Sequence, residues 1–192
     1  MAENPVRYSI ITEKNPREIL MLRGSGCKWR CCTFCDYHLD FSKDERANFE
    51  THWMHRDEIF SLREMFRNID VDVKMKIGVE TFDEAFREKV FHKGMANASP
   101  EDIAKYCDEV CLLFGFTGQN AASMKNDIET GLQYFERVCV NIMVENTTKM
   151  KPDSAVIRSF LDEIYLVCRE NPRVDILLNS TDFGVGGENN VK

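Results

Sequence analysis

The sequence predicts an α/β fold built on a parallel sheet, because strand-like and helix-like segments alternate along most of its 192 residues. The strand-like segments are short apolar runs that end at glycine or polar residues, and the segments between them have helical periodicity. We count about six strands, whereas a closed eightfold barrel usually needs about 250 residues. We therefore expect one domain, residues 1–192, with an open partial (β/α)6-type barrel.

The first strands surround a cysteine-rich segment. Residues 18–23 are almost continuously apolar and end at Gly24, which is typical of a buried strand of a parallel sheet. A loop follows over residues 24–40 and holds the cysteines discussed below. The elements expected before residue 80 are strands at 18–23, 49–54 and 71–79 and a helix at 57–67, with a further short strand at 8–11 in the polar lead-in.

Capping residues and apolar periodicity predict the rest of the chain. Thr81 and Glu84 have the spacing of a capping box, and Ser99 before Pro100 indicates another helix start. The tail at 183–192 is rich in glycine. The elements expected after residue 109 are strands at 110–116, 138–144 and 174–178 and helices at 121–136 and 153–169.

Polar or glycine-rich residues follow five of the predicted strands. In open α/β folds ligands bind at the carboxyl ends of the strands, so these residues are expected to meet at one site. They are the cysteine loop, Glu80–Thr81, Gly115–Gln119, Glu145–Asn146 and Asn179–Asp182.

Composition favours a small-molecule substrate in the cytoplasm. The net charge of -7 disfavours a nucleic-acid binder. No apolar run approaches the roughly 18 residues that span a bilayer, so no membrane is expected, and the first residues do not resemble a signal peptide. The scattered basic residues are expected on the solvated surface; they include Lys28, Arg30, Lys74, Lys76 and Lys93.

Four of the eight cysteines lie between Cys27 and Cys35. The cytosol keeps thiols reduced, so such a group more often binds metal or performs redox chemistry than forms disulfides. Three interpretations remain open: a structural zinc site completed by His38, a thioredoxin-like pair of Cys32 and Cys35, and a [4Fe–4S] cluster held by three thiolates with one iron open.

Residues 32–35, Cys-Thr-Phe-Cys, follow another cysteine and a glycine closely, and this arrangement resembles the radical S-adenosylmethionine (SAM) superfamily. The usual spacing puts three residues between the first two cysteines, and here Cys27 comes one residue early. The resemblance implies a [4Fe–4S] cluster on Cys27, Cys32 and Cys35, SAM as cofactor and an external electron donor. Cys31 is then a bystander.

The resemblance extends to the later strand ends. It implies that Glu80, Thr117, Gln119 and Asn146 bind the cofactor. One departure is that the short Gly-Gly-Glu-like element of the family is absent after the second strand, because only thirteen residues separate Cys35 from Phe49.

Within the superfamily, residues 26–38 and the stretch 179–188 resemble a small group that includes queuine lyase. This resemblance implies that SAM cleavage gives a 5′-deoxyadenosyl radical, which takes a hydrogen from the cyclopentene part of queuine. The C–N bond then breaks and leaves the base preQ1. No side chain need act as nucleophile, so we name no catalytic acid or base.

A free 7-deazaguanine base has an N–H and NH2 edge that pairs with a carboxylate through charge-assisted hydrogen bonds. Asp182 and Glu145 are the candidates for that contact, Trp53 and Tyr37 for stacking on the base, and His52 for the diol. The alternatives are a radical SAM enzyme acting on another substrate, such as a modified tRNA, and a non-catalytic iron–sulfur or zinc module.

Overall fold

The structure is a computed structural model that describes residues 8–11, 17–20, 29–35, 50–68 and 73–178. Five parallel strands form its main sheet in the order β3-β4-β5-β6-β7. The predicted α/β fold with a parallel sheet is confirmed. The strands are β3 (Glu50–Thr51), β4 (Lys76–Glu80), β5 (Glu109–Phe114), β6 (Arg137–Ile142) and β7 (Val174–Leu177).

A separate two-stranded sheet corrects one prediction. Strands β1 (Tyr8–Ile11) and β2 (Arg17–Leu20) pair antiparallel, with Tyr8 opposite Leu20. The apolar run that begins at residue 18 was expected to join the parallel sheet, and within the described residues it does not. The five residues between β1 and β2 are too few for a parallel crossover, which needs a dozen or more, so β2 pairs with β1 as a hairpin partner.

Helices separate the strands of the main sheet. Ser99 caps its helix as predicted, but the cap before residue 84 is Asp83, whose side chain accepts from the backbone N–H of Phe86, rather than Thr81. The helices are a 3-10 helix (Trp53–Glu58), α1 (Ile59–Arg67), α2 (Glu84–Lys89), α3 (Pro100–Ala104), α4 (Ala121–Tyr134), α5 (Ser154–Phe160), a π-helical turn (Leu161–Tyr165) and α6 (Leu166–Cys168).

The main core lies between the sheet and the helices. Val110, Leu112 and Val138 of the strands pack with Ile128 of α4 and Phe160 of α5. Burying each such side chain contributes roughly 1.5–3 kcal/mol. This core fixes the strand ends at which the predicted site lies. None of the described helices combines the length and the apolar content that a membrane crossing requires.

A smaller apolar cluster lies beyond the carboxyl ends of the strands. It consists of Phe34, Phe91, Phe116 and Met143, and we call it the aromatic floor. Phe34 and Phe91 meet edge to face at 5.0 Å between ring centroids, and Phe91 meets Phe116 at 4.8 Å. The aromatic floor joins the cysteine loop to β5 and β6.

Candidate functional site

The cysteine loop is attached to the sheet through its backbone. The Thr33 N–H donates to the Phe91 carbonyl at 3.2 Å, and the Thr33 hydroxyl donates to the Val90 carbonyl at 2.7 Å. From the other side, Asn146 Nδ2 donates to the Phe34 carbonyl at 2.8 Å. Asn146 follows β6 and residues 90–91 follow α2, so the loop spans two neighbouring parts of the carboxyl edge.

The cysteines of the loop differ in their surroundings. Cys32 and Cys35 are half-buried against the aromatic floor, whereas Cys31 is exposed. Cys27 lies outside the described residues. Among the described residues, no group of three or more His, Cys, Asp or Glu side chains could hold a metal ion. Of the three predicted ligands, Cys32 and Cys35 belong to that part of the chain. Two thiols of one short loop beside an apolar floor fit the ligand chemistry of an iron–sulfur cluster.

Glu80, at the end of β4, lies in a buried ion pair. Its Oε1 is 2.6 Å from Lys93 Nζ, and both side chains are 9% exposed. The prediction that Lys93 belongs to the solvated surface is therefore wrong. Lys93 Nζ also lies 5.6 Å from the centroid of the Phe34 ring. The Glu80–Lys93 pair thus places two opposite charges between β4 and the cysteine loop.

The backbone at Glu80 is unusual for a residue with a side chain. Its φ is +70°, and the pairing register of β4 shifts between Gly78 and Glu80. A Cβ at Gly78 would lie 2.6 Å from Glu80 Oε1 and 3.1 Å from Lys93 Nζ. Because Gly78 has no side chain, the carboxylate of Glu80 and the ammonium group of Lys93 can occupy the space beside it.

Asp127 of α4 supports the turn that follows Glu80. Its carboxylate accepts hydrogen bonds from the Thr81 hydroxyl and from the Phe82 N–H, both at 2.8 Å. Burial raises the pKa of Asp127 to about 6. The Thr81 hydroxyl serves this contact, so it is not the helix cap that the sequence predicted.

The turn after β5 is held by the side chain of Gln119. Its Oε1 accepts from the N–H groups of Gly115 and Phe116, and its Nε2 donates to the Leu113 carbonyl, each at 3.0 Å. The exposed Thr117 donates its hydroxyl to Asp153 at 2.7 Å and holds the pKa of that carboxyl below its usual range. That Gln119 and Thr117 bind the cofactor stays a prediction.

The end of β6 carries two of the predicted ligands. Asn146 holds the cysteine loop through Phe34, and its Oδ1 accepts from the N–H and the hydroxyl of Thr148. Glu145 is exposed, with its Oε1 3.3 Å from Lys151 Nζ. The substrate role of Glu145 and the cofactor role of Asn146 stay predictions.

His52 is held on both ring nitrogens. Nε2 lies 2.8 Å from the Lys93 carbonyl, and Nδ1 accepts from the Met54 N–H at 3.2 Å. A carbonyl only accepts, so Nε2 carries the proton. Burial and, next, the charge of Lys93 lower the pKa of His52 to about 4, so the ring is neutral near pH 7. Trp29 stacks on this ring at 5.1 Å between centroids.

Of the other predicted substrate residues, the structure describes Trp53, which packs against Tyr106 and Arg56. Trp53 meets Tyr106 edge to face at 5.5 Å, and the Arg56 guanidinium carbon lies 4.9 Å from the Trp53 centroid. A cavity of about 270 Å³ adjoins Trp53, and α3 forms part of its wall. Tyr37 and Asp182 lie outside the described residues. The structure therefore brings Glu80 and Asn146 to the cysteine loop, and the stacking role of Trp53 stays a prediction.

Three residues of the site were missed in the sequence. The burial of Asp127 could have been predicted, because it lies three positions after Met124 on the buried face of a predicted amphipathic helix. No local sequence pattern indicated the positions of Lys93 and Trp29, since these depend on partners that are distant in sequence.

Comparison with known proteins gave one informative match. No protein-family model matches the chain, and no curated protein matches it. A solved structure of a queuine lyase from Clostridium spiroforme, bound to SAM and queuine, superposes with a TM-score of 0.84 at 28% sequence identity. The match covers 96% of this chain and 100% of that one. The predicted resemblance to the queuine lyase group is confirmed.

Proposed function

We propose that this chain is a radical SAM lyase that converts free queuine to preQ1 by breaking the C–N bond to the cyclopentenediol. The proposal depends on one observation: the similarity to a queuine lyase bound to SAM and queuine extends over 96% of the chain. The sequence motifs of the cysteine loop point to the same chemistry. The proposed fold is the shortened, partial barrel of such enzymes, with the described parallel sheet as its main part.

Cys27, Cys32 and Cys35 would hold a [4Fe–4S] cluster. With SAM bound, such a cluster supplies the electron that opens the sulfonium and starts radical chemistry. The half-buried position of Cys32 and Cys35 and the exposure of Cys31 support this choice of ligands over one that includes Cys31. The aromatic floor, against which Cys32 and Cys35 pack, would exclude water from that side of a bound cluster.

The carboxyl edge of the sheet would bind SAM. Glu80 offers a carboxylate for the amino group of the methionine part, and its Oε1 lies 2.6 Å from Lys93 Nζ in a buried ion pair. The Gly115–Gln119 turn, held in shape by Gln119, and the exposed hydroxyl of Thr117 are proposed to bind the rest of the cofactor. Asn146 would position the cysteine loop at the cofactor site through its hydrogen bond to the Phe34 carbonyl.

The substrate would lie above this edge. Glu145 is exposed after β6, and we propose that it and Asp182 accept the N–H edge of the 7-deazaguanine base. Trp53 and Tyr37 remain the proposed stacking residues. His52 is neutral and already bonded on both nitrogens, so a contact with the diol would replace one of these bonds. The reaction requires no protein nucleophile.

The proposal is tested by anaerobic reconstitution followed by product analysis. The protein should bind about four irons per chain, the content of one [4Fe–4S] cluster. With SAM and dithionite it should release 5′-deoxyadenosine faster when free queuine is added, and preQ1 should appear. Stoichiometric zinc without any nucleoside product would support a non-catalytic metal module instead. Stimulation by queuosine-containing tRNA, but not by the free base, would keep the radical chemistry and reject the substrate.

A further inference from the structure

The segment that follows α2 turns four successive carbonyls toward the cysteine loop and its neighbour His52. We call residues 90–94 the platform. All four carbonyls accept a hydrogen bond from outside the platform, which is unusual for a short irregular segment at a surface, where water commonly fills that role. The bonds are Thr33 Oγ1 to Val90 (2.7 Å), Thr33 N to Phe91 (3.2 Å), Trp29 Nε1 to His92 (2.9 Å) and His52 Nε2 to Lys93 (2.8 Å).

The backbone of the platform is bent into a shape that ordinary residues avoid. His92 has a φ of +53° and Gly94 a φ of +71°. A Cβ at Gly94 would lie 2.1 Å from Cζ2 of Trp29. Glycine is therefore needed for two reasons, the left-handed backbone and the contact with the indole ring. Left-handed residues with side chains cost about 1–3 kcal/mol each and occur mainly where function requires them.

The platform also connects the loop to the sheet. Phe91 is fully buried in the aromatic floor next to Phe34. Lys93 pairs with Glu80 at the end of β4 and lies near the face of the Phe34 ring. The same five residues thus contact the loop through hydrogen bonds, aromatic packing and a buried charge.

We infer that the platform is a positioning element for the iron–sulfur cluster: it holds the loop in place so that Cys32 and Cys35 need no reordering when iron binds. This inference rests on the proposed function. Groups that orient metal ligands typically change metal affinity 10–100-fold when they are removed, without being ligands themselves. None of the platform residues is a proposed cluster ligand, so its effect on iron is separable from loss of a thiolate.

The substitution Gly94→Ala tests the inference because its Cβ collides with Trp29. The reconstituted variant should lose iron to a chelator about 10-fold faster than wild type, or more. The matched control is Gly131→Ala in α4, whose Cβ would lie 2.7 Å from Val138 in the main core. That variant should melt at a lower temperature but keep iron as wild type does. Equal iron loss in the two variants would overturn the inference.

A second variant covers the case in which Gly94→Ala does not fold. Trp29→Phe keeps an aromatic ring against His52 but loses the hydrogen bond to His92. It should lose iron faster than wild type at an unchanged melting temperature; an unchanged rate of iron loss would overturn the inference.

A measurement on the iron-free protein separates this inference from the proposed function. In a Trp53→Phe background, Trp29 is the sole tryptophan, and its emission should become more accessible to acrylamide when Gly94→Ala is added. Unchanged quenching would show that the platform does not hold the loop. If wild type itself takes up no iron, the proposed function fails, whatever the quenching result.

Discussion

The two edges of the parallel sheet use their polar side chains differently. At the amino edge, ion pairs connect neighbouring elements of the fold. At the carboxyl edge, the Glu80–Lys93 ion pair lies next to Phe34 of the cysteine loop, and Asn146 donates to the carbonyl of Phe34, 112 residues earlier in the chain. The first edge stabilises the fold, and the second assembles a site. The ion pairs of the amino edge are Arg63–Asp108 (2.7 Å), Lys76–Glu109 (3.5 Å) and Arg137–Asp175 (3.0 Å).

Backbone strain follows the same division. Glu80, the last residue of β4, and His92 of the platform have side chains and a positive φ, whereas Gly94, Gly115 and Gly118 reach positive φ without strain. The other described non-glycine residues with positive φ are Arg30, in the cysteine loop, and Asn97, between α2 and α3. Strained backbone persists where the surroundings hold it and function uses it. One edge has ion pairs that join elements of the fold, and the other has polar residues that meet the cysteine loop. This contrast predicts which substitutions affect stability and which affect ligand binding.

The largest expected effect is loss of the cluster. Replacing Cys27, Cys32 or Cys35 with alanine should abolish both iron binding and 5′-deoxyadenosine formation, because each substitution removes one proposed thiolate ligand. Cys31→Ala is the matched control on the same loop and should leave both largely intact. Iron analysis and the visible absorption of the reconstituted proteins measure this. If Cys31→Ala loses its iron and Cys32→Ala keeps it, the ligand assignment is wrong.

At the amino edge, Asp175→Asn should lower stability without affecting ligands. The Asp175 side chain is 7% exposed, and removing its charge leaves Arg137 poorly compensated, which costs about 3 kcal/mol of unfolding free energy. Urea denaturation of the iron-free protein measures the change. Iron per folded chain should equal that of wild type after reconstitution. A loss of iron comparable to that of Gly94→Ala would remove the distinction between the edges.

Asp127→Asn should change how stability depends on pH. The folded pKa of Asp127, about 6, lies above the ordinary 3.8, so the folded protein holds a proton that the unfolded chain releases. Stability from this group is therefore present below about pH 4 and is lost as pH rises to about 6. Relative to wild type, the variant should gain on the order of 2 kcal/mol across that range. Parallel stability curves for the two proteins would contradict this.

The smallest expected effect is on cofactor affinity. Glu80→Gln replaces a carboxylate with a neutral amide and should raise the Kd for SAM about tenfold, or about 1.4 kcal/mol. Glu109→Gln breaks the Lys76 pair at the opposite edge and should leave that Kd unchanged. Anaerobic calorimetric titration of the reconstituted proteins compares them. Equal Kd values for Glu80→Gln and wild type would exclude Glu80 from the SAM site.

Apolar periodicity in the sequence predicted the strands and helices that bury one face in the main core. Strands β5, β6 and β7 and helix α4 appear where apolar periodicity placed them, because burial on one face sets that periodicity. The first apolar run was misassigned, since such a run does not reveal whether its partner is parallel or antiparallel. The predicted cap at Thr81 failed because the hydroxyl bonds Asp127, 46 residues later.

The cysteine motif could be recognised in the sequence, whereas contacts between residues distant in sequence could not. The motif at residues 32–35 gave Cys32 and Cys35 as cluster ligands, and that role stays a prediction. The burial of Lys93 requires Glu80, and the position of Trp29 requires Gly94, so no local pattern indicates either. The sequence alone therefore did not reveal the contacts of Lys93 and Trp29, both of which lie near the carboxyl edge of the sheet.

The most direct test is a mass-resolved anaerobic incubation of the reconstituted protein with queuine, SAM and reductant. The proposed lyase should form preQ1 together with 5′-deoxyadenosine, and both products should vanish in Cys35→Ala and persist in Cys31→Ala. Formation of 5′-deoxyadenosine at the same rate with and without queuine, and no preQ1, would contradict the assignment of this site to queuine cleavage.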